Sequence, residues 1–328
     1  MYIEKAFRAK NDLWRYLVGG LLAFLASQLG AIPLVVAVIL KSLSEGRDLM
    51  DIQDQSKIMT ILDSNLTLFL MLLSFAFGMA ALYLVIRYLH KQRFTDATTS
   101  RKKVDWNRIF FAFGLVGVIT VSMTVLDYYI NPDDYVINFQ LKPFLILLII
   151  AVILIPIQTS FEEYLFRGYL MQGIGIHARN RWVPLVITSV IFGGLHFFNP
   201  EVGKMGNIIM IYYIGTGFFL GIMTLMDEGL ELALGYHAGN NLFAALLVTA
   251  DWTVFQTPSI LKDITENPSA GMSILFPVFV IYPILLGIMS RKYKWSNWKE
   301  KLFGKVKNPI PVSSAPAVDD TFHDKLDA

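Results

Sequence analysis

Six polar residues of this sequence could do chemistry, and all of them lie in or beside long apolar stretches. They form three short motifs: a glutamate pair followed by an arginine, a histidine after two glycines, and a histidine one turn before an asparagine. In chain order they are Glu162, Glu163, Arg167, His196, His237 and Asn241. An ionisable side chain at membrane depth costs about 2.5–3.5 kcal/mol on insertion scales, so such groups face a protein interior or a wet cavity.

The glutamate motif contains one carboxylate more than an ion pair needs. Glu163 and Arg167 are four residues apart, which places them on one face of a helix and predicts an ion pair. Glu162 is rotated by about 100° from its neighbour and cannot use the arginine in the same way. The structural interpretation is a buried ion pair with a second glutamate at the membrane edge. The functional interpretation is that Glu162 acts as a base.

The two histidine motifs supply the partners that such a base would need. A carboxylate and an imidazole at one depth can together deprotonate water, so Glu162 is the candidate base and His196 holds the water or shuttles its proton. His237 and Asn241 share a helix face and can donate hydrogen bonds to the oxyanion of amide hydrolysis. Without a catalytic role, the same groups would form hydrogen bonds between helices.

A metal-dependent alternative uses three of the same residues. Glu162, His196 and His237 could ligate zinc, whereas Asn241 would be an unusual ligand for it. The sequence has no cysteine and no HExxH motif, which removes thiolate sites and the usual soluble zinc-protease arrangement. We therefore favour a site without a cofactor and keep zinc as the alternative.

The composition predicts that helices in a lipid bilayer position these residues. Of the 328 residues, 55% are hydrophobic and 16% charged, against about 25% charged in a typical soluble domain. The net charge of +2 argues against a nucleic-acid partner. Eight stretches approach the roughly 20 apolar residues that a membrane helix needs, which predicts an all-α polytopic membrane protein with about eight transmembrane helices. They are Tyr16–Leu40, Leu66–Leu89, Ile109–Leu126, Pro143–Phe161, Trp182–Phe198, Ile208–Met226, Leu232–Ala250 and Met272–Ser290.

Loop charges predict the orientation and the domain organisation. The N-terminal arm and segments 90–108, 175–181 and 291–307 are rich in lysine and arginine, whereas 41–64 and 127–142 are acidic. Basic loops stay in the cytoplasm, so both termini are expected there. We expect one membrane domain over 1–290, with the motifs in 160–247, and a basic cytoplasmic segment with a disordered tail over 291–328.

Helix lengths place the three motifs at a similar depth. Glu162 and His196 each lie roughly 20 Å of helix from the turn at 175–181, and His237 and Asn241 lie roughly 9–15 Å from the nearest predicted helix end. The short segment 227–231 before the helix of His237 is acidic, but acidic residues contribute little to the charge rule, so the eight-span topology still assigns it to the cytoplasm. Since segment 175–181 is assigned there too, we expect the site to be a cavity inside the bundle that opens to the cytoplasm.

Taken together and in this order, the motifs resemble a known family. Glu-Glu-x-x-x-Arg at 162–167, Phe-x-x-x-His at 192–196 and His-x-x-x-Asn at 237–241 resemble the CPBP family of intramembrane proteases, which includes the CAAX prenyl endopeptidases and bacterial Abi proteins. The resemblance implies an eight-helix bundle in which Glu162 and His196 activate water. It also implies that Glu163 and Arg167 orient the site or the substrate, while His237 and Asn241 stabilise the oxyanion.

The favoured function is therefore hydrolysis of a peptide bond in a membrane-associated protein or peptide, in a bacterial plasma membrane. A proton-coupled carrier could use Glu162, Glu163, His196 and His237 as a relay. Carriers usually contain repeated halves, and this sequence shows no repeat. A non-catalytic scaffold or immunity protein is the third alternative, and it would tolerate the loss of Glu162.

Overall fold

The computed structural model of the chain describes residues 1–47, 55–266 and 271–308. The described residues form two short 3₁₀ helices, Ile3–Arg8 and Pro132–Asp134, and twelve further helices. The first six are α1 (Leu13–Ser44), α2 (Gln55–Ile61), α3 (Ser64–Leu89), α4 (Phe94–Thr98), α5 (Trp106–Ile130) and α6 (Leu141–Ala178). The others are α7 (Trp182–Phe198), α8 (Pro200–Met205), α9 (Ile209–Asp227), α10 (Glu231–Leu247), α11 (Ile274–Tyr293) and α12 (Trp298–Phe303).

The predicted all-α polytopic membrane architecture is confirmed. Each of the eight apolar stretches overlaps a helix of the structure, and six helices are long and apolar enough to cross a membrane. The fifth and seventh stretches form the shorter helices α7 and α10. The bundle pairs α1 with α3, α3 with α6, α6 with α10, α10 with α5 and α9 with α7. The three helices that carry the motifs, α6, α7 and α10, therefore lie inside one bundle.

A small sheet replaces the end of the seventh predicted helix. The helix ends at Leu247 rather than Ala250, and the strand Val248–Thr249 follows it. This strand pairs parallel with Leu261–Asp263, which pairs antiparallel with Tyr135–Ile137. Valine and threonine favour extended backbone, and pairing with a distant strand overrides the apolar run that suggested a helix.

The segment after the last membrane helix packs against the bundle. The indole of Trp295 donates to Asp227 over 3.0 Å, and Val306 is 2% exposed within the main core. Residues up to 306 are thus integrated with the membrane domain rather than appended to it. The disordered tail predicted in segment 291–328 falls largely on residues 309–328, which lie outside the described residues.

Close packing of α7 against α9 depends on a glycine. A Cβ atom at Gly217 would lie 2.7 Å from the backbone oxygen of Ser189, closer than side chains can approach. The glycine lets the two backbones approach, as small residues do between membrane helices. Gly217 also offers its carbonyl oxygen to the site described next.

Candidate active site

The predicted ion pair forms at a change of helix type. The α-helical part of α6 ends at Glu163, and a π-helical segment over Tyr164–Leu170 follows it. Such segments are common at functional sites because they re-aim side chains. Arg167 donates to Oε1 of Glu163 over 2.9 Å, and both side chains are completely buried. Its other terminal nitrogen donates to the carbonyl of Gly217 over 3.1 Å. The guanidinium therefore joins α6 to α9.

His237 contacts both glutamates, one with each ring nitrogen. Its Nδ1 donates to Oε1 of Glu163 over 2.8 Å, and its Nε2 lies 3.4 Å from Oε2 of Glu162. Sequence spacing could not give this contact, because His237 comes from a different helix and an imidazole has nitrogens on two sides. Glu162 and Glu163 are rotated by about 100° from each other around the helix axis. Their carboxylates therefore reach opposite edges of the His237 ring.

The buried cluster is neutral if His237 is protonated. Two carboxylates and one guanidinium leave one negative charge, and an uncompensated charge in an apolar interior is costly. An imidazolium removes that charge and supplies a proton on each nitrogen, so that both nitrogens can donate to carboxylates. Arg167 also donates to Glu163 and holds this carboxylate in place. The carboxylate in turn fixes the orientation of the His237 ring. Glu163 and Arg167 thus position His237.

His196 is held so that one nitrogen stays available. Its Nδ1 donates to the carbonyl of Phe192 over 2.8 Å, in its own helix. Its ring stacks on Tyr213 with centroids 4.5 Å apart. A neutral histidine that donates from Nδ1 keeps an unprotonated Nε2, which can accept a hydrogen bond from water. Sequence reasoning did not identify Tyr213, and an aromatic residue in an apolar helix carries no distinguishing signal.

Asn241 has a partner from the glutamate helix. Its amide nitrogen donates to Oε1 of Gln158 over 3.2 Å, and its own oxygen accepts from Asn240. Gln158 lies one turn before Glu162, so α6 supplies both a carboxylate and an amide to the site. Gln158 is 4% exposed, and a buried glutamine inside an apolar run was a signal available in the sequence.

One cavity of about 510 Å³ brings most of the predicted residues together. Its wall includes Glu162, His196, His237 and Asn241, whereas Glu163 and Arg167 lie behind His237 and do not line it. The lining is mainly aromatic and aliphatic. Helices α1, α3, α6, α7, α9, α10 and α11 all contribute to it. An apolar cavity with a few convergent polar groups is the usual form of a small-substrate site.

The cavity occupies the half of the bundle away from the basic loops. It is lined by the C-terminal ends of α7 and α10 and by the N-terminal end of α9. None of its described lining residues comes from segments 90–108, 175–181 or 227–231. The described lining thus lies on the side of the bundle away from the basic loops, whereas the sequence predicts an opening toward the cytoplasm. Helix rise predicts how deep the motif residues lie in the bundle. It does not predict whether the cavity extends from them toward the basic loops or away from these loops.

Polar contacts link the segments of the basic face to one another. The 3₁₀ helix Ile3–Arg8 caps it, and Lys5 contacts Asp96 over 3.2 Å. Burial alone would raise the pKa of Asp96, but hydrogen bonds from Arg93 and Lys5 outweigh it and hold the pKa below its usual range. Further bonds of this face join Arg101 to Asp227 and Glu231, Arg108 to Asp227, Trp295 to Asp227, and Arg181 to Glu4.

The donor set does not fit a zinc ion. Both nitrogens of His237 already face carboxylates, so neither is free to ligate a metal ion. The Glu163 oxygen nearest to His237 is shared with a guanidinium, which would oppose a metal cation there. Among the described residues, no group of three or more histidine, aspartate or glutamate side chains has a metal-binding arrangement.

Comparison with known proteins agrees with the motif-based resemblance. Residues 141–243 match the profile of the family described as type II CAAX prenyl endopeptidase Rce1-like. This match supports the predicted resemblance to the CPBP/CAAX protease family. The matched region contains all six motif residues and the buried Glu162–Glu163–His237 cluster. The family supports a membrane-embedded protease that acts on a protein or peptide.

A relative extends the likeness beyond the matched region. The chain is 29% identical over 299 residues to an uncharacterized protein, YyaK, of Bacillus subtilis (strain 168). The alignment covers 90% of this chain and 98% of the relative. No solved structure matches the chain.

Proposed function

We propose that this protein is an intramembrane endopeptidase that hydrolyses a peptide bond through a water molecule activated by Glu162. The observation that supports this proposal best is the arrangement of Glu162 at the cavity wall. Its carboxylate contacts His237, while Glu163 and Arg167 hold that histidine from behind. A base at the wall of an apolar cavity, backed by a buried charge network, is suited to proton transfer.

The reaction begins with a water molecule between Glu162 and His196. Nε2 of His196 accepts a hydrogen bond from the water and orients it, and the Glu162 carboxylate removes a proton as the oxygen attacks the peptide carbonyl carbon. Glu162 then carries that proton. When the carbon–nitrogen bond breaks, Glu162 returns the proton to the leaving amine, so one residue serves as base and then as acid.

His237 and Asn241 stabilise the negative oxygen of the tetrahedral intermediate. Protonation of Glu162 removes the charge that held Nε2–H of His237, so this donor becomes available to the oxyanion without a change in ring orientation. The amide nitrogen of Asn241 is the second donor and exchanges its bond to Gln158 for one to the intermediate. Glu163 keeps Nδ1 of His237 bound throughout, which maintains the ring orientation.

We further propose that substrates enter from the side opposite the basic loops or from within the membrane. Basic loops are retained in the cytoplasm, and the cavity lies in the other half of the bundle. The contact network at the basic face also supports entry from the other side. The substrate is then a membrane-associated protein or peptide whose scissile bond lies outside the cytoplasmic leaflet, in a bacterial plasma membrane with both termini of the enzyme cytoplasmic.

Comparing protein termini in membranes tests the proposal. Bacterial cells expressing the wild-type chain or Glu162→Gln at equal levels would be analysed by mass spectrometry of newly formed N-termini. We expect a set of termini within or next to membrane segments that appears only with the wild type. Glu266→Gln makes the same exchange at an exposed position and should keep the wild-type set. Identical sets for wild type and Glu162→Gln would refute the proposal.

A further inference from the structure

A second carboxylate lines the cavity at a position that the proposed reaction does not use. Glu201 lies on α8, between the helices that carry His196 and Tyr213, and its side chain belongs to the cavity wall. It is only 9% exposed. Burial without a counter-charge raises the pKa of this carboxyl group, even though one oxygen accepts a backbone hydrogen bond. Such a position is costly for a glutamate unless it has a use.

One of the two carboxylate oxygens of Glu201 has a structural role. Oε1 of Glu201 accepts a hydrogen bond from the backbone nitrogen of Val254 over 2.8 Å, which ties α8 to the loop between the strands Val248–Thr249 and Leu261–Asp263. Oε2 is buried and has no hydrogen-bond partner among the described residues. A glutamine or a threonine could hold the loop equally well. The loop contact alone therefore does not explain a carboxylate.

The surroundings of Glu201 suit a cation. Neither lysine nor arginine occurs among the described residues that line the cavity, whereas Glu162 and Glu201 both do. The rings of Tyr212, Tyr213 and Phe255 also line it, and aromatic faces attract cations. An incoming positive group would find an unpaired carboxylate oxygen, apolar walls and no lysine or arginine among the described lining residues.

We infer that Glu201 is a specificity-determining residue that binds a cationic group of the peptide substrate through its unpaired oxygen. The group is a lysine or arginine side chain or the N-terminal ammonium of the peptide. A charge-assisted hydrogen bond in this desolvated site would favour substrates that carry the cation over neutral ones. This inference rests on the proposed peptidase function and adds a substrate class to it.

Cleavage of a peptide library tests the preference. Detergent-purified enzyme would digest a proteome-derived peptide library, and mass spectrometry would give the residues around each cut. The wild type should favour lysine or arginine at one position by roughly tenfold. Glu201→Gln keeps an acceptor for Val254 and should lose the preference while still cutting neutral peptides. Glu201→Lys should reverse it toward acidic residues, and the exposed Glu266→Gln should leave it unchanged.

A binding measurement separates this inference from the proposed function. A fluorescent peptide with a cleavable apolar segment would be titrated against Glu162→Gln enzyme, with lysine or acetyl-lysine, and with a free or acetylated N-terminus. Loss of about tenfold in affinity on acetylation identifies which cation binds, and adding Glu201→Gln should abolish the difference. If the cationic peptides bind more tightly through Glu201 but the wild type cleaves none of them, the peptidase proposal is wrong and Glu201 remains the cation site. Equal affinities for all four peptides, or a basic preference that survives Glu201→Gln, would overturn the inference.

Discussion

Replacing Arg167 by methionine should destabilise the protein by removing the counter-charge of a buried carboxylate. The Arg167 and Glu163 side chains are 0% exposed, and among the described residues Oε1 of Glu163 receives only Arg167 and His237 as donors. Without the guanidinium, the buried Glu163 carboxylate loses its counter-charge and keeps His237 as its donor. Breaking a buried pair from one side costs about 3–5 kcal/mol, which is the loss expected for Arg167→Met.

The double variant Glu163→Gln/Arg167→Met makes the prediction specific. It removes both charges, and the introduced glutamine can still accept from Nδ1 of His237. The double variant should therefore lose about as much unfolding free energy as either single variant loses alone. The difference between this loss and the sum of the two single losses is the coupling energy, which we expect to be about 3 kcal/mol. Unfolding by detergent titration can be followed through the fluorescence of the six tryptophans.

An exposed ion pair provides the control for this cycle. Lys262 lies 2.8 Å from Asp251, but the two side chains are 32% and 78% exposed. Lys262→Met should change stability by less than about 1 kcal/mol, as for other exposed pairs. If the losses of the two single variants simply add in the double variant, the buried pair is not energetically coupled and the reasoning fails.

Three further predictions concern packing, pH and orientation. Gly217→Val should lower both melting temperature and peptidase activity because its side chain would push α7 away from α9, whereas Gly114→Val, with open space around its Cβ, should change melting temperature little. The lowered pKa of Asp96 stabilises the fold above about pH 4, and this contribution is lost as pH falls through the folded pKa, so Asp96→Asn should flatten the acid side of a melting-temperature profile. Because the chain has no cysteine, Lys102→Cys should react with a membrane-impermeant reagent only from the cytoplasm and Asp133→Cys only from outside; the reverse pattern would contradict the proposed orientation and side of entry.

The helices and the first ion pair were predictable because both depend on local spacing. Apolar runs near the length of a bilayer gave the membrane helices, and the four-residue separation gave Glu163 and Arg167. The contact of His237 with both glutamates was not predictable, because the register between α6 and α10 is set by packing of distant residues.

The cavity could be placed only from the assembled bundle. Helix rise gives the depth of Glu162 and His196, but free volume depends on which neighbouring side chains fill the space on either side. Glu201 was missed for the same reason, since a glutamate in a short segment between membrane helices usually faces water. Here α8 turns it inward and Val254 fixes one of its oxygens.

Hydrolysis in water enriched in oxygen-18 tests the central claim most directly. Purified enzyme in lipid vesicles would cleave a peptide identified by the library, and the products would be weighed by mass spectrometry. The proposed reaction predicts one oxygen-18 atom in the new C-terminal carboxylate and a rate at least ~100-fold lower for Glu162→Gln, with Glu266→Gln unaffected. Cleavage by Glu162→Gln at the wild-type rate would contradict the assignment of Glu162 as the base.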